Sequence, residues 1–216
     1  MTRTALVLAG LILAVGAVPL LADDINIPPW RYQPRTTYQL WEFNFPNNGL
    51  KPSPDDWYSP YYQAMLTITP DPINPEWIPS YPLTGGLPRP GVWALSGNIE
   101  VWIPNNPEPL EFKDLWLQLV WMPQENYPTA IPLIEVQGTP PGQVLGGLVE
   151  SFCAGTPWIY SWYKYTLMPN PMTERIGIYG NILVDELVID TRCAPEPATM
   201  ALLGLGGLGM LFRRKR

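Results

Sequence analysis

Twenty-five of the chain's 28 prolines fall between residues 23 and 194. Proline inside a helix removes a hydrogen bond and clashes with the preceding turn, so a proline density of this kind excludes a helical domain. The same stretch holds all ten tryptophans and all eleven tyrosines. Disordered chains lack aromatic residues because they have no core to bury. Short aromatic runs punctuated by proline leave one class, an all-β domain, and the length is enough for one sizeable core.

Period-two alternation places the strands. Thr37 to Phe45 puts Trp41, Phe43 and Phe45 on one face. Tyr61 to Thr69 does the same with Tyr62, Ala64, Leu66 and Ile68. Trp93 to Ile103 turns Ile99, Val101 and Ile103 inward and Glu100 and Trp102 outward. Leu115 to Met122 turns Leu115, Leu117, Leu119 and Trp121 one way and Trp116, Gln118 and Val120 the other. Ile131 to Val136, Val144 to Phe152 and Trp158 to Met168 follow. Glu174 to Tyr179 and Ile182 to Ile189 read as a pair joined through a tight turn at Gly180-Asn181. Asp71 to Pro90, with six prolines, reads as a long loop. Eight or nine antiparallel strands in this length predict a two-layer β-sandwich of jelly-roll type.

The two ends read as address labels. Arg3 precedes the apolar run Ala5 to Val18, and Leu20-Leu21-Ala22 precedes Asp23-Asp24. That order is a secretory signal peptide over residues 1–22, cleaved after Ala22. The run is shorter than the ~20 residues of an ordinary membrane span, which weighs against the alternative of a retained anchor. At the other end, Pro195-Glu196-Pro197 leads into an apolar stretch ending at Phe212, closed by Arg213, Arg214, Lys215 and Arg216. Fifteen residues of helix reach about 22 Å, a short span for a ~30 Å hydrocarbon core. The basic end belongs on the cytoplasmic side, which leaves residues 23–193, the sandwich domain, outside.

The three-part tail over 194–216 resembles the PEP-CTERM sorting signal. The resemblance implies a membrane-anchored precursor recognised by an exosortase, with Pro195, Glu196 and Pro197 as the matched motif and no catalytic role of its own. It also implies a destination in the envelope, at the surface or in an extracellular matrix, where extracellular polysaccharide is the expected partner. The flanking strands, Thr36 to Phe43 and Leu183 to Asp190, resemble those of uncharacterised exported β-sandwich proteins of planctomycete type. That resemblance brings no activity with it.

Residues 23–194 carry 8 Lys/Arg and 18 Asp/Glu, a net charge of 8 − 18 = −10. Phosphate neutralisation dominates nucleic-acid binding, so nucleic acid is not an expected partner. There is no histidine, which excludes Ser-His-Asp chemistry and imidazole-bound zinc. Two carboxylates in a cleft are enough for glycoside hydrolysis, but no spaced acidic run marks such a pair. The leading expectation is a surface protein without catalysis. A carbohydrate-binding module is the alternative, and a glycan-active hydrolase the third reading.

Four further features carry expectations. In an oxidising compartment Cys153 and Cys193 are expected to form a disulfide, with two separate thiols as the alternative. Trp102 and Trp116 point away from the expected core and offer rings for sugar stacking, unless proline-rich loops cover them. Trp57, Tyr58, Tyr61 and Tyr62 form a second aromatic group. Asp185 shares the core face with Leu183, Leu187 and Ile189 on period two, where a carboxylate needs a partner or a cation. A calcium ion would serve. The alternatives are a β-bulge that turns Asp185 outward, or a pair with Arg175 or Arg192. No other metal or cofactor is expected.

Overall fold

A computed structural model describes residues 24–44, 51–69, 75–81, 89–105, 110–154 and 157–194. The signal-peptide reading, the sorting motif and the basic tail lie outside the described residues. Within them are twelve strands and no helix. They are β1 Thr36–Trp41, β2 Asp56–Tyr58, β3 Met65–Thr69, β4 Pro75–Tyr81, β5 Arg89–Leu95, β6 Asn98–Pro104, β7 Phe112–Pro123, β8 Leu133–Thr139, β9 Gln143–Cys153, β10 Ile159–Met168, β11 Thr173–Tyr179 and β12 Ile182–Ala194.

Two antiparallel sheets share one core. The larger runs β2-β1-β12-β7-β10-β9, with β5 also pairing β12 and β4 pairing β5; the smaller runs β3-β6-β11-β8. Inward alternation closes the core as the sequence predicts. Leu115, Leu117, Leu119 and Trp121 of β7 meet Ile99, Val101 and Ile103 of β6 and Ile176 and Ile178 of β11 in one apolar cluster. Burial of each such side chain contributes roughly 1.5–3 kcal/mol.

β12 is the spine. Glu186 to Ala194 pair with β7 on one side, and Leu187 to Arg192 with β1 on the other. The outer face of this sheet is covered too. Val120, Met122, Trp158, Tyr160 and Leu183 form a second apolar cluster there, and Tyr38, Leu40 and Val188 a third.

Four local readings change. Asp71 to Pro90 is not one loop, because β4 occupies Pro75–Tyr81 and β5 begins at Arg89. Among the described residues β4 pairs only with β5, and an edge strand tolerates proline where a central one does not. Trp93 to Ile103 is two strands that belong to different sheets. Tyr62 is exposed rather than inward, since β3 starts only at Met65. Gly180-Asn181 is a corner and not a hairpin: β11 and β12 lie in opposite sheets, so the turn carries the chain across the sandwich.

Candidate functional site

The exit of the chain is the first place where sequence and fold converge on function. β12 stays paired to its end, with Ala194 opposite Phe112 and the Cys193 amide donating to the Arg35 carbonyl at 3.0 Å. Pro195 follows directly. The sorting motif is therefore joined without a linker to the central strand of the larger sheet.

The end of the core beside this exit is polar. Lys113 and Glu174 form an ion pair across the two sheets, and both side chains are fully buried. Burial pushes the Glu174 carboxyl up, against the pull of Lys113. Cys193 sits opposite Lys113 in the ladder, and its Sγ–H donates to Asn105 Oδ1 at 2.7 Å. Asn105 Nδ2 donates to Asn170 Oδ1 at 2.7 Å and to the Pro171 carbonyl. Thr37 and Thr191 share a hydrogen bond of 2.7 Å nearby. The sequence reading singled out neither Lys113 nor Glu174. The signal was present: one further step of the alternation that places Leu115 and Ile176 inward does the same for Lys113 and Glu174.

The outer face of the larger sheet carries a second polar cluster, under the segment that precedes β1. Arg31 Nε and Nη2 donate to Asp190 Oδ1 and Oδ2, each at 2.6 Å, and the same guanidinium bonds Asp24. Gln118 accepts from the Asn26 amide at 2.8 Å and from the Tyr160 hydroxyl at 2.7 Å. Trp30 packs edge-on against Trp116, with ring centroids 5.7 Å apart. Trp162 meets Trp116 from the other side at 5.0 Å, and Lys164 Nζ stands 4.1 Å from both the Trp116 and Trp162 centroids. Trp116 is thus half-buried within a cluster.

Trp102 is half-buried on the smaller sheet, where its Nε1–H donates to Glu100 Oε1 at 2.8 Å. Arg175 also bonds Glu100, through Nε at 2.6 Å, and this bond holds the Glu100 carboxyl below its ordinary value. The ring lines a pocket of about 340 Å³ together with Lys51, Ser53, Met65 and Thr67. In the second aromatic group, Trp57 and Tyr62 are exposed, and Tyr58 packs with Tyr32 at 5.6 Å between centroids.

Asp185 is the extra residue of a bulge in β12, where the pairing jumps from Val184 to Glu186. It pairs with Arg89, and not with Arg175 or Arg192. The bulge also shifts the phase of the strand, so Leu183 belongs to the outer cluster while Val184, Leu187 and Ile189 face the core. Among the described residues no three acidic, cysteine or histidine side chains gather around a cation site.

The disulfide is corrected. Cys153 is exposed and Cys193 buried, and they are not joined. Cys153 opposes Ile159, which opposes Trp121, which opposes Val184. Three strand spacings of ~4.8 Å separate Cys153 from β12, and Cys193 lies about nine residues farther along it, roughly 30 Å at ~3.3 Å per residue. A disulfide needs Cα atoms within about 7 Å.

Two acids are neighbours through the main chain: Asp55 Oδ2 accepts from the Glu42 backbone amide at 2.7 Å. Burial first, and then the Asp55 charge, raise the Glu42 carboxyl above its ordinary value.

Comparison with known families finds the model of the PEP-CTERM protein-sorting motif, matched at residues 194–216. The tail is a PEP-CTERM sorting signal. Such a signal implies an exported protein, sorted by an exosortase to the cell surface. Neither curated proteins nor solved structures provide a match to this chain. The resemblance of the domain to planctomycete-type exported proteins therefore has no homologue behind it.

Proposed function

We propose that this protein is a non-enzymatic surface or matrix protein, whose sandwich is displayed outside the cell through its PEP-CTERM tail. The observation that carries the reading is the continuity of β12 with the motif. Force or tension arriving at the tail enters a strand paired on both sides, where many ladder hydrogen bonds must shear together. In this reading an exosortase recognises Pro195, Glu196 and Pro197 while the apolar stretch holds the precursor in the membrane, with Arg213 to Arg216 inside.

The fold supports a signal peptide ending at Ala22, because Asp24 is already engaged with Arg31. The strand order supports a jelly-roll assignment: first and last strands are neighbours, and the path from β5 to β8 alternates between the sheets. The non-catalytic reading is supported by the acids themselves. Asp24, Asp190, Asp185, Glu100, Asp114 and Glu174 each meet a cation.

The test is replacement of Pro195, Glu196 and Pro197 by alanine in the native host. The expected result is an unprocessed, tail-bearing chain that accumulates in the membrane. Processing and location identical to wild type would defeat the proposal.

A second reading, glycan binding, is favoured by the pocket at Trp102. A half-open indole beside Lys51, Ser53 and Thr67 offers an apolar face with polar groups around it, the combination that sugar rings take. Titration of tryptophan fluorescence with a polysaccharide panel is expected to give a saturable change that Trp102→Ala removes. No change with any glycan leaves the ring a structural part only.

A further inference from the structure

We propose that Lys113 and Asn105 join in an intramolecular isopeptide bond, formed without an added enzyme and promoted by Glu174. The observation behind it is a nucleophile, an acid and a carboxamide on inward positions at one end of the core. Lys113 and Glu174 are fully buried, and each is the other's ionic partner. Asn105 is 7% exposed and continues the inward row of Ile99, Val101 and Ile103 on β6. Cys193 ties the two halves together. Its Cα stands opposite that of Lys113, about 5 Å away, and its thiol holds Asn105 Oδ1. Glu174 in turn opposes Ile103, two residues before Asn105.

The chemistry balances with no oxidant and no cofactor. A proton passes from Lys113 Nζ to the Glu174 carboxylate, which leaves a neutral amine. That amine attacks Asn105 Cγ, and the carbonyl electrons move onto Oδ1, where the Cys193 thiol donates a hydrogen bond to the developing charge. Glu174 gives its proton to Nδ2 and takes one from Nζ. The Cγ–Nδ2 bond breaks and ammonia leaves. One amide N–H remains on Nζ, and Glu174 ends as the neutral acid.

Three physical arguments favour the step. A buried, desolvated lysine amine is an activated nucleophile. Fixed side chains in one packed core turn an encounter into an intramolecular reaction, which is worth several orders of magnitude in effective concentration. The product also replaces a buried ion pair, whose desolvation is costly, by neutral groups. The upward push of burial on Glu174 agrees with its ending as the neutral acid. The bond would close the polar end of the sandwich beside the strand that leads to the sorting motif. It is independent of sorting, so its test does not depend on the anchoring reading.

The experiment is chymotryptic peptide mapping of the natively purified full chain. Cleavage after Leu110 and Phe112 places Asn105 and Lys113 on different peptides. The expected result is one branched peptide that contains both, lighter than their sum by one ammonia, and its loss in Glu174→Gln. Two linear peptides of full mass from the folded wild-type chain overturn the proposal, whatever the variant does. A branch that has lost water in place of ammonia overturns it as well, because it makes Glu174 the acceptor.

Discussion

Arg31 holds two acids on the outer face of the larger sheet, and the balance there decides how the domain responds to pH. Burial pushes the Asp190 carboxyl up to about 7, although the Arg31 hydrogen bonds pull the other way. Unfolded aspartate titrates near 3.8, so between these values the folded chain binds the extra proton. Stability from this group is then fully present below about pH 4 and is lost as pH rises through about 7. Asp190→Asn is expected to flatten that fall, as read from urea midpoints at about pH 4.5 and about pH 7.5; an unchanged slope would exclude Asp190 as its source. Arg31→Ala should cost about 1–3 kcal/mol near neutral pH, because it removes the guanidinium hydrogen bonds to Asp190 and Asp24 and leaves Asp190 to stay buried as the neutral acid. Gly91 is a second critical residue. Its φ is +71°, and a Cβ there would lie 1.9 Å from the Phe43 carbonyl oxygen, the same oxygen that accepts from Trp77 Nε1 at 2.8 Å. Gly91→Ala is expected to cost more than about 1–3 kcal/mol, since backbone strain of that order adds to the clash; calorimetric melting measures it.

β12 shows how one element departs from simple alternation for a reason that can be tested. Its bulge gives Asp185 to Arg89 and resets the strand, so that Leu183 and Leu187 face opposite ways. Arg89→Ala is expected to destabilise the domain by about 1–3 kcal/mol, the range for losing a partner of a buried charged group. Because Arg89 supplies the positive charge at Asp185, a chelator should leave the melting temperature of the wild type where it is. A fall in chelator would restore the calcium reading. The faces of β6 and β7 were legible in the sequence because their alternation runs through uninterrupted apolar positions. β4 was not, because proline signals a loop unless the strand is known to be an edge. The bulge and the β11–β12 corner were not either. Both depend on which sheet accepts the next strand, and that is a property of the whole packing.

At the scale of the molecule, the chain is an acidic sandwich with an address at its end, and the two were legible to different degrees. The tail could be read residue by residue, since its three parts are contiguous in sequence. The polar end of the core could not, because Asn105, Lys113, Glu174 and Cys193 come from four separate stretches that only folding assembles. The disulfide failed for the same reason: two cysteines suffice to suggest a bond, but strand order and register place Cys153 three strands from β12 and level with its opposite end. The Trp116 cluster likewise needed the segment around Trp30, which carries no strand signal. Everything at this scale rests on export with processing at the tail. Fractionation of the native host, with terminal peptide mapping of the recovered protein, measures both. Export and processing together predict an extracytoplasmic chain that begins just after Ala22 and lacks the basic end from Arg213 to Arg216; a full-length chain recovered from the cytosol would contradict them.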